Sequence, residues 1–152
     1  MYRSEHEFIV KKPIDVVFKN LSCLRGCVNW SSMMRTAEQL DPGAAGVGVR
    51  YKHVASFMGL SSELIQTLRI YNPPYEFAFD DAGTSMLPIE NHYILSEVPE
   101  GTLVRYIMTL KPRESMIGRM AATLMVGRIQ KQMDQDLETF KTMVEADVTV
   151  HV

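Results

Sequence analysis

The stretch Glu114–Asp147 reads ESMIGRMAATLMVGRIQKQMDQDLETFKTMVEAD, and it constrains the chain more than any other. No proline interrupts it, and most of its residues are good helix formers. As one helix it extends about 50 Å. A domain of 152 residues is hardly wider than that, so the helix must cross the whole body and the rest of the chain must cover it.

The length fits one domain, taken as residues 1–147 with a short tail at 148–152. An apolar fraction of 46% and a charged fraction of 22% are ordinary for a globular chain with a real core. The formal net charge of −2 offers no footprint for nucleic acid or for an acidic membrane. The first residues, MYRSEHEFIV, contain no apolar signal region. No run reaches the roughly 18 apolar residues of a membrane span; Arg119 and Arg128 interrupt the most apolar part of the last helix. Cytoplasmic localisation is the expectation. Cys23 and Cys27 are four apart, which is neither a CxxC pair nor half a zinc ribbon. They are read as reduced thiols, with a redox or metal role as the alternative.

Ahead of the last helix the periodicity is mostly two. Tyr2–Val10 alternates and predicts a half-buried strand. Pro13 and Asp15 then open an amphipathic helix carrying Ile14, Val17, Phe18 and Leu21 on one face, followed by a second short helix near Trp30. Further strands are expected at 35–40, 47–57, 61–71, 75–80, 88–97 and 102–111, separated by turns rich in Gly, Pro and Asp. Short connections imply an antiparallel meander, about seven strands in all. One face of that sheet needs a cover, and only the last helix is long enough to supply it.

This order resembles the START-like superfamily, also called the Bet v 1-like, SRPBCC or helix-grip fold, in its polyketide cyclase/dehydrase-like branch. The resemblance covers Tyr2–Asp147. It is carried by the opening strand with Pro13-Ile14-Asp15-Val16-Val17-Phe18, by Trp30 after the short helices, by the Pro73-Pro74 break and by the closing helix. It implies an α+β fold in which a curved antiparallel sheet wraps the long helix and encloses a cavity. Relatives include lipid and sterol carriers, quinone-binding proteins and aromatic polyketide cyclases, without a shared catalytic motif. One departure stands out: relatives often place a proline soon after the tryptophan, and here Trp30 is followed by Ser31-Ser32-Met33.

Alternation directs Tyr51, His53, Tyr75, Phe77, Phe79, Asn91, Tyr93, Tyr106 and Met108 toward the helix. Most have an aromatic body with a polar tip, as ligand pockets do. His53 is either a general acid/base and ligand anchor or a satisfied core histidine. The tyrosines either meet a ligand or bond internally, and Trp30 is either a plug or a mouth residue. Glu90 and His92 lie two apart on a solvated face with no third ligand, so no metal site is expected, and no cofactor is implied. Gly43, Gly46 and Gly48 do not have phosphate-loop spacing.

Eleven methionines suit an adaptable apolar wall. In the last helix Ile117, Met120, Ala121, Leu124 and Met125 form one stripe, and Ile129, Met133, Leu137, Phe140 and Val144 form another. The offset predicts a kink or rewinding near Gly127. The first half would then roof the cavity through Met116, Met120 and Leu124, while the second packs as core. The function expected is binding or transport of a small hydrophobic or amphipathic molecule, such as a lipid, quinone, isoprenoid or polyketide. The alternatives are a cyclase, dehydratase or hydrolase using His53 and a tyrosine, or a protein-interaction module on the same fold.

Overall fold

A computed structural model describes residues 1–83, 85, 87–112 and 114–150. Along the chain come β1 (Tyr2–Val10), α1 (Ile14–Leu21), a 3-10 turn (Cys27–Asn29), β2 (Met34–Gln39), β3 (Arg50–Phe57), β4 (Leu60–Asn72), β5 (Glu76–Asp80), β6 (Ile89–Val98), β7 (Gly101–Leu110) and α2 (Met116–Glu145). The strands make one antiparallel sheet in the order β1-β7-β6-β5-β4-β3-β2. Consecutive hairpins build β2 to β7, and β1 closes against β7. The chain must therefore travel from one sheet edge to the other between β1 and β2, and α1 with the 3-10 turn makes that crossing. The sheet wraps α2, which is the helix-grip architecture.

Helix α1 buries Ile14, Val17, Phe18 and Leu21, as the 3.6-residue period requires, with Asp15 in its first turn and Lys19 in its last. The alternation in β3, β6 and β7 also holds: Tyr51, His53, Asn91, Tyr93, Tyr106 and Met108 are all buried. Tyr75 does not follow the pattern. It lies in the turn before β5 and is exposed, its N–H donating to the Asn72 carbonyl at 2.8 Å. Strand β3 begins at Arg50 and not at Val47. Gly48 adopts φ +92° just before it, a left-handed conformation that interrupts the extended strand, although Gly48 and Val49 still exchange backbone hydrogen bonds with Leu68 of β4. The hairpin between β3 and β4 turns on two residues, Met58 and Gly59, with Phe57 paired to Leu60. Both have positive φ (53° and 79°), as a two-residue type I′ loop requires.

The expected rewinding of the long helix near Gly127 is absent. α2 is continuous through Gly127, from Ser115, whose side chain accepts from the Gly118 N–H at 3.0 Å, to Glu145. Its C-terminal half packs as core through Leu137, Phe140 and Val144. Its N-terminal half meets the rest of the protein differently. The buried positions there are Gly118 and Ala122, small residues that let the helix lie close, while Met116, Ile117, Met120 and Leu124 are exposed. The tail is docked as far as it is described: Val150 is buried and its N–H donates to Asn20 Oδ1 at 2.8 Å. Residues 151 and 152 lie outside the described residues.

Candidate ligand cavity

Three adjacent strands present matched rows toward α2. Phe77, Tyr93 and Tyr106 are direct cross-strand partners on β5, β6 and β7. Their rings stack, Phe77 on Tyr93 at 4.7 Å and Tyr93 on Tyr106 at 4.6 Å between centroids. Phe18 closes the far end, edge-on to Phe77 at 5.5 Å. Each such pair adds about 1 kcal/mol beyond burial, so the phenol rings are held rigidly. The next row is Phe79, Asn91 and Met108.

Between these rows and α2 lies a cavity of about 710 Å³. Trp30, His53, Phe79, Asn91, Tyr93, Tyr106 and Met108 all line it. Its opposite wall is an i, i+4 ridge of α2: Ala121, Met125, Ile129 and Met133. It reaches the surface beside the β3–β4 hairpin, where Phe57, Leu60 and Ser61 complete the lining. At about 700 Å³ and mostly apolar, it has the size and character of a small-molecule site.

Five of the residues expected to face a ligand do not line this space. Phe77 is sealed behind Tyr93, because alternation assigns a face but not a depth. Tyr51 opens instead into a second hollow, between Tyr71, Lys19, Arg25 and Pro73-Pro74. Met116, Met120 and Leu124 point outward and line a groove on the far side of α2. A helix turns 100° per residue, so the broad stripe divides. The ridge containing Ala121 and Met125 looks in, and the adjacent ridge of Met116, Met120 and Leu124 looks out.

The polar groups of the cavity are few. Tyr106 Oη donates to Asn91 Oδ1 at 2.6 Å. The Tyr93 hydroxyl has no hydrogen-bond partner among the described residues, and burial pushes its pKa well above the usual phenol value. Trp30 Nε1, His53 Nδ1 and Gln66 Oε1 are also buried without partners, although such groups are nearly always paired in proteins. Trp30 wedges edge-on against Phe140 of α2 at 5.5 Å.

His53 meets a residue that sequence spacing does not connect to it. Its Nε2 lies 3.7 Å from Cys27 Sγ and 3.0 Å from the Leu24 carbonyl oxygen. A carbonyl can only accept, so Nε2 carries the proton and donates to Leu24. Burial lowers the His53 pKa and raises that of Cys27 to about 12. Both shifts favour neutral partners, the opposite of a thiolate–imidazolium pair. Nδ1, the ring nitrogen left as a base, is sealed from solvent. His53 thus fastens β3 to the segment after α1.

The segment after Trp30 is fastened too. Asp136, buried on α2, accepts through Oδ2 from the Ser32 N–H (3.1 Å) and from the hydroxyls of Ser32 (3.3 Å) and Ser31 (3.4 Å). Its Oδ1 takes Gln132 Nε2 at 3.0 Å. On the outer sheet face, His92 pairs with Glu76 at 2.6 Å and Glu90 with Lys111 at 3.5 Å. Among the described residues no group of three or more His, Cys, Asp or Glu is arranged to hold a metal ion.

No protein-family model matches the chain, and no curated protein matches it by sequence. Solved structures do match over nearly its whole length. TTHA0849 from Thermus thermophilus is 17% identical with a TM-score of 0.76, covering 97% of this chain and 98% of its own. The Zhui aromatase/cyclase from Streptomyces sp. R1128 is 13% identical with a TM-score of 0.76, covering 97% and 95%. Ara h 8.0201 is 12% identical with a TM-score of 0.73, covering 95% and 98%. At such identities the likeness is one of fold alone: a seven-stranded antiparallel sheet wrapped around a long C-terminal helix, the helix-grip arrangement.

Proposed function

We propose that this protein binds a small hydrophobic molecule carrying a polar group. The observation that carries the reading is the cavity: about 710 Å³, walled by aromatic and methionine side chains, with the Tyr93 hydroxyl unpaired. A hydrocarbon alone would leave that hydroxyl without a partner, whereas a ligand hydroxyl or carbonyl would bond to it. An enzymatic reading is less well supported, because His53, the imidazole that lines the cavity, spends one nitrogen on Leu24 and buries the other. The similar structures include an aromatase/cyclase, which is compatible with an aromatic ligand.

The test is direct binding of an environment-sensitive apolar dye, N-phenyl-1-naphthylamine, followed by displacement with candidate molecules. Saturable binding is expected, and Ala121→Trp, which fills the cavity from the α2 wall, should abolish it. Absence of saturable binding, or binding indifferent to Ala121→Trp, would count against the reading.

A further inference from the structure

The outer face of α2 carries what its inner face would be expected to bury. Met116, Met120 and Leu124 follow one another at i, i+4 on a single exposed ridge, with exposed Ile117 beside them. The next residue on the ridge is Arg128, whose Nη1 reaches Met58 Sδ at 3.5 Å. Met58 is the tip of the β3–β4 hairpin, and Leu60 follows it; both are more than half exposed. The six apolar side chains fall into two groups, the α2 ridge and the hairpin tip, joined through Arg128 into one rim; of the six, Leu60 is part of the cavity lining. Met58 holds φ 53°, a conformation usually given to Gly, Asn or Asp, so the loop displays an apolar side chain where a polar one would be favoured.

Charge is segregated along the same helix. From Ser115 to Met133 it bears Arg119, Arg128 and Lys131 and no carboxylate; from Asp134 to Glu145 it bears four carboxylates and one lysine. Glu114 is the one acidic residue at the groove beside the ridge. Among the described residues none of the three cations sits in an ion pair. This arrangement opposes the helix dipole, which favours acids near the N-terminus and bases near the C-terminus. A net charge of −2 conceals it.

An exposed apolar ridge about 12 Å long, flanked by three cations with Glu114 as the single acid beside it, is the pattern of a helix lying at a lipid interface. We infer that the rim formed by the N-terminal half of α2 and the β3–β4 hairpin docks on an anionic lipid surface, with the cavity mouth turned toward it. The apolar side chains enter the acyl boundary while Arg128 and Lys131 reach the headgroups. This surface stands independently of what the cavity holds.

Co-sedimentation of the full chain with vesicles tests it. Binding is expected to an equal mixture of phosphatidylcholine and phosphatidylglycerol, weakening with salt, and not to phosphatidylcholine alone. Met120→Ser/Leu124→Ser and Arg128→Glu/Lys131→Glu should each reduce affinity by more than about tenfold. Circular dichroism and dye binding in the cavity should stay unchanged, because these side chains are on the surface; Ile117→Ser serves as a milder variant if either pair unfolds. The proposal is overturned if the parent chain ignores anionic vesicles or if the variants bind as well as it does. It is also overturned if the rim proves to be a dimer contact, with self-association in sedimentation that the same substitutions abolish.

Discussion

Ser32 and Asp136 are joined twice: Asp136 Oδ2 accepts from the Ser32 backbone N–H at 3.1 Å and from its hydroxyl at 3.3 Å. A buried carboxylate on the long helix thereby holds the segment that carries Trp30 to the cavity wall. The departure noted in the sequence, Ser31-Ser32 where a proline is common, supplies the donors a proline would lack.

Asp136→Ala removes the acceptor and leaves the Ser32 donors unpaired. A loss of about 3 kcal/mol is expected, measured by urea unfolding. Ser32→Ala should cost about 1 kcal/mol. In a double-mutant cycle with Asp136→Asn the two should be non-additive, since they share one interaction. Full additivity would mean that the pair does not couple.

Tyr93→Phe should leave stability nearly unchanged, because the lost hydroxyl has no protein partner. It should weaken 2-naphthol by roughly five- to tenfold, about the worth of one hydrogen bond, and leave naphthalene unaffected. Isothermal titration with the two probes separates a polar anchor from simple packing. Equal losses for both would remove Tyr93 from that role.

His53 gives stability a pH dependence of known sign. Burial lowers its pKa in the folded state, while in the unfolded chain it titrates near the ordinary value of about 6.5. The unfolded state therefore binds more protons between those two values. The contribution is complete above about pH 6.5 and declines as pH falls toward the lowered folded value, by at most about 1.4 kcal/mol per pH unit. His53→Gln should flatten that part of a stability–pH profile. An unchanged slope would place the titrating group elsewhere.

Gly101→Ala should destabilise severely. Gly101 has φ +143°, and a Cβ there would be driven onto the Val10 carbonyl oxygen and the backbone of Lys11 and Lys12. These belong to the chain leaving β1, so neither can yield cheaply. A cost of about 3 kcal/mol or more is expected, seen as a drop of roughly 10 °C in Tm. A change below about 1 kcal/mol would show that the approach can relax.

The sheet was legible because period two is a local signal and short turns impose the meander. It assigned the inward faces of β3, β6 and β7 correctly, but it could not say that Phe77 is covered by Tyr93 or that Tyr51 opens on a different hollow. The long helix misled for a definite reason. Large apolar residues were expected inside, yet the contact surface of its first half is made by Gly118 and Ala122, whose small size registers as nothing in a hydrophobicity pattern. Cys27 with His53, and Ser32 with Asp136, are 26 and 104 residues apart in the chain, so no spacing announces them.

The interleaving of the two ridges on α2 has a practical reading. Positions 121, 125, 129 and 133 shape the interior, while 116, 120, 124 and 128 shape what the outside world meets. The two sets are adjacent in sequence but separate in contact, so each can be rewritten alone. A protein engineer, or a lineage under drift, could reshape the cavity wall without touching the outer surface, or rewrite the outer surface without touching the cavity wall.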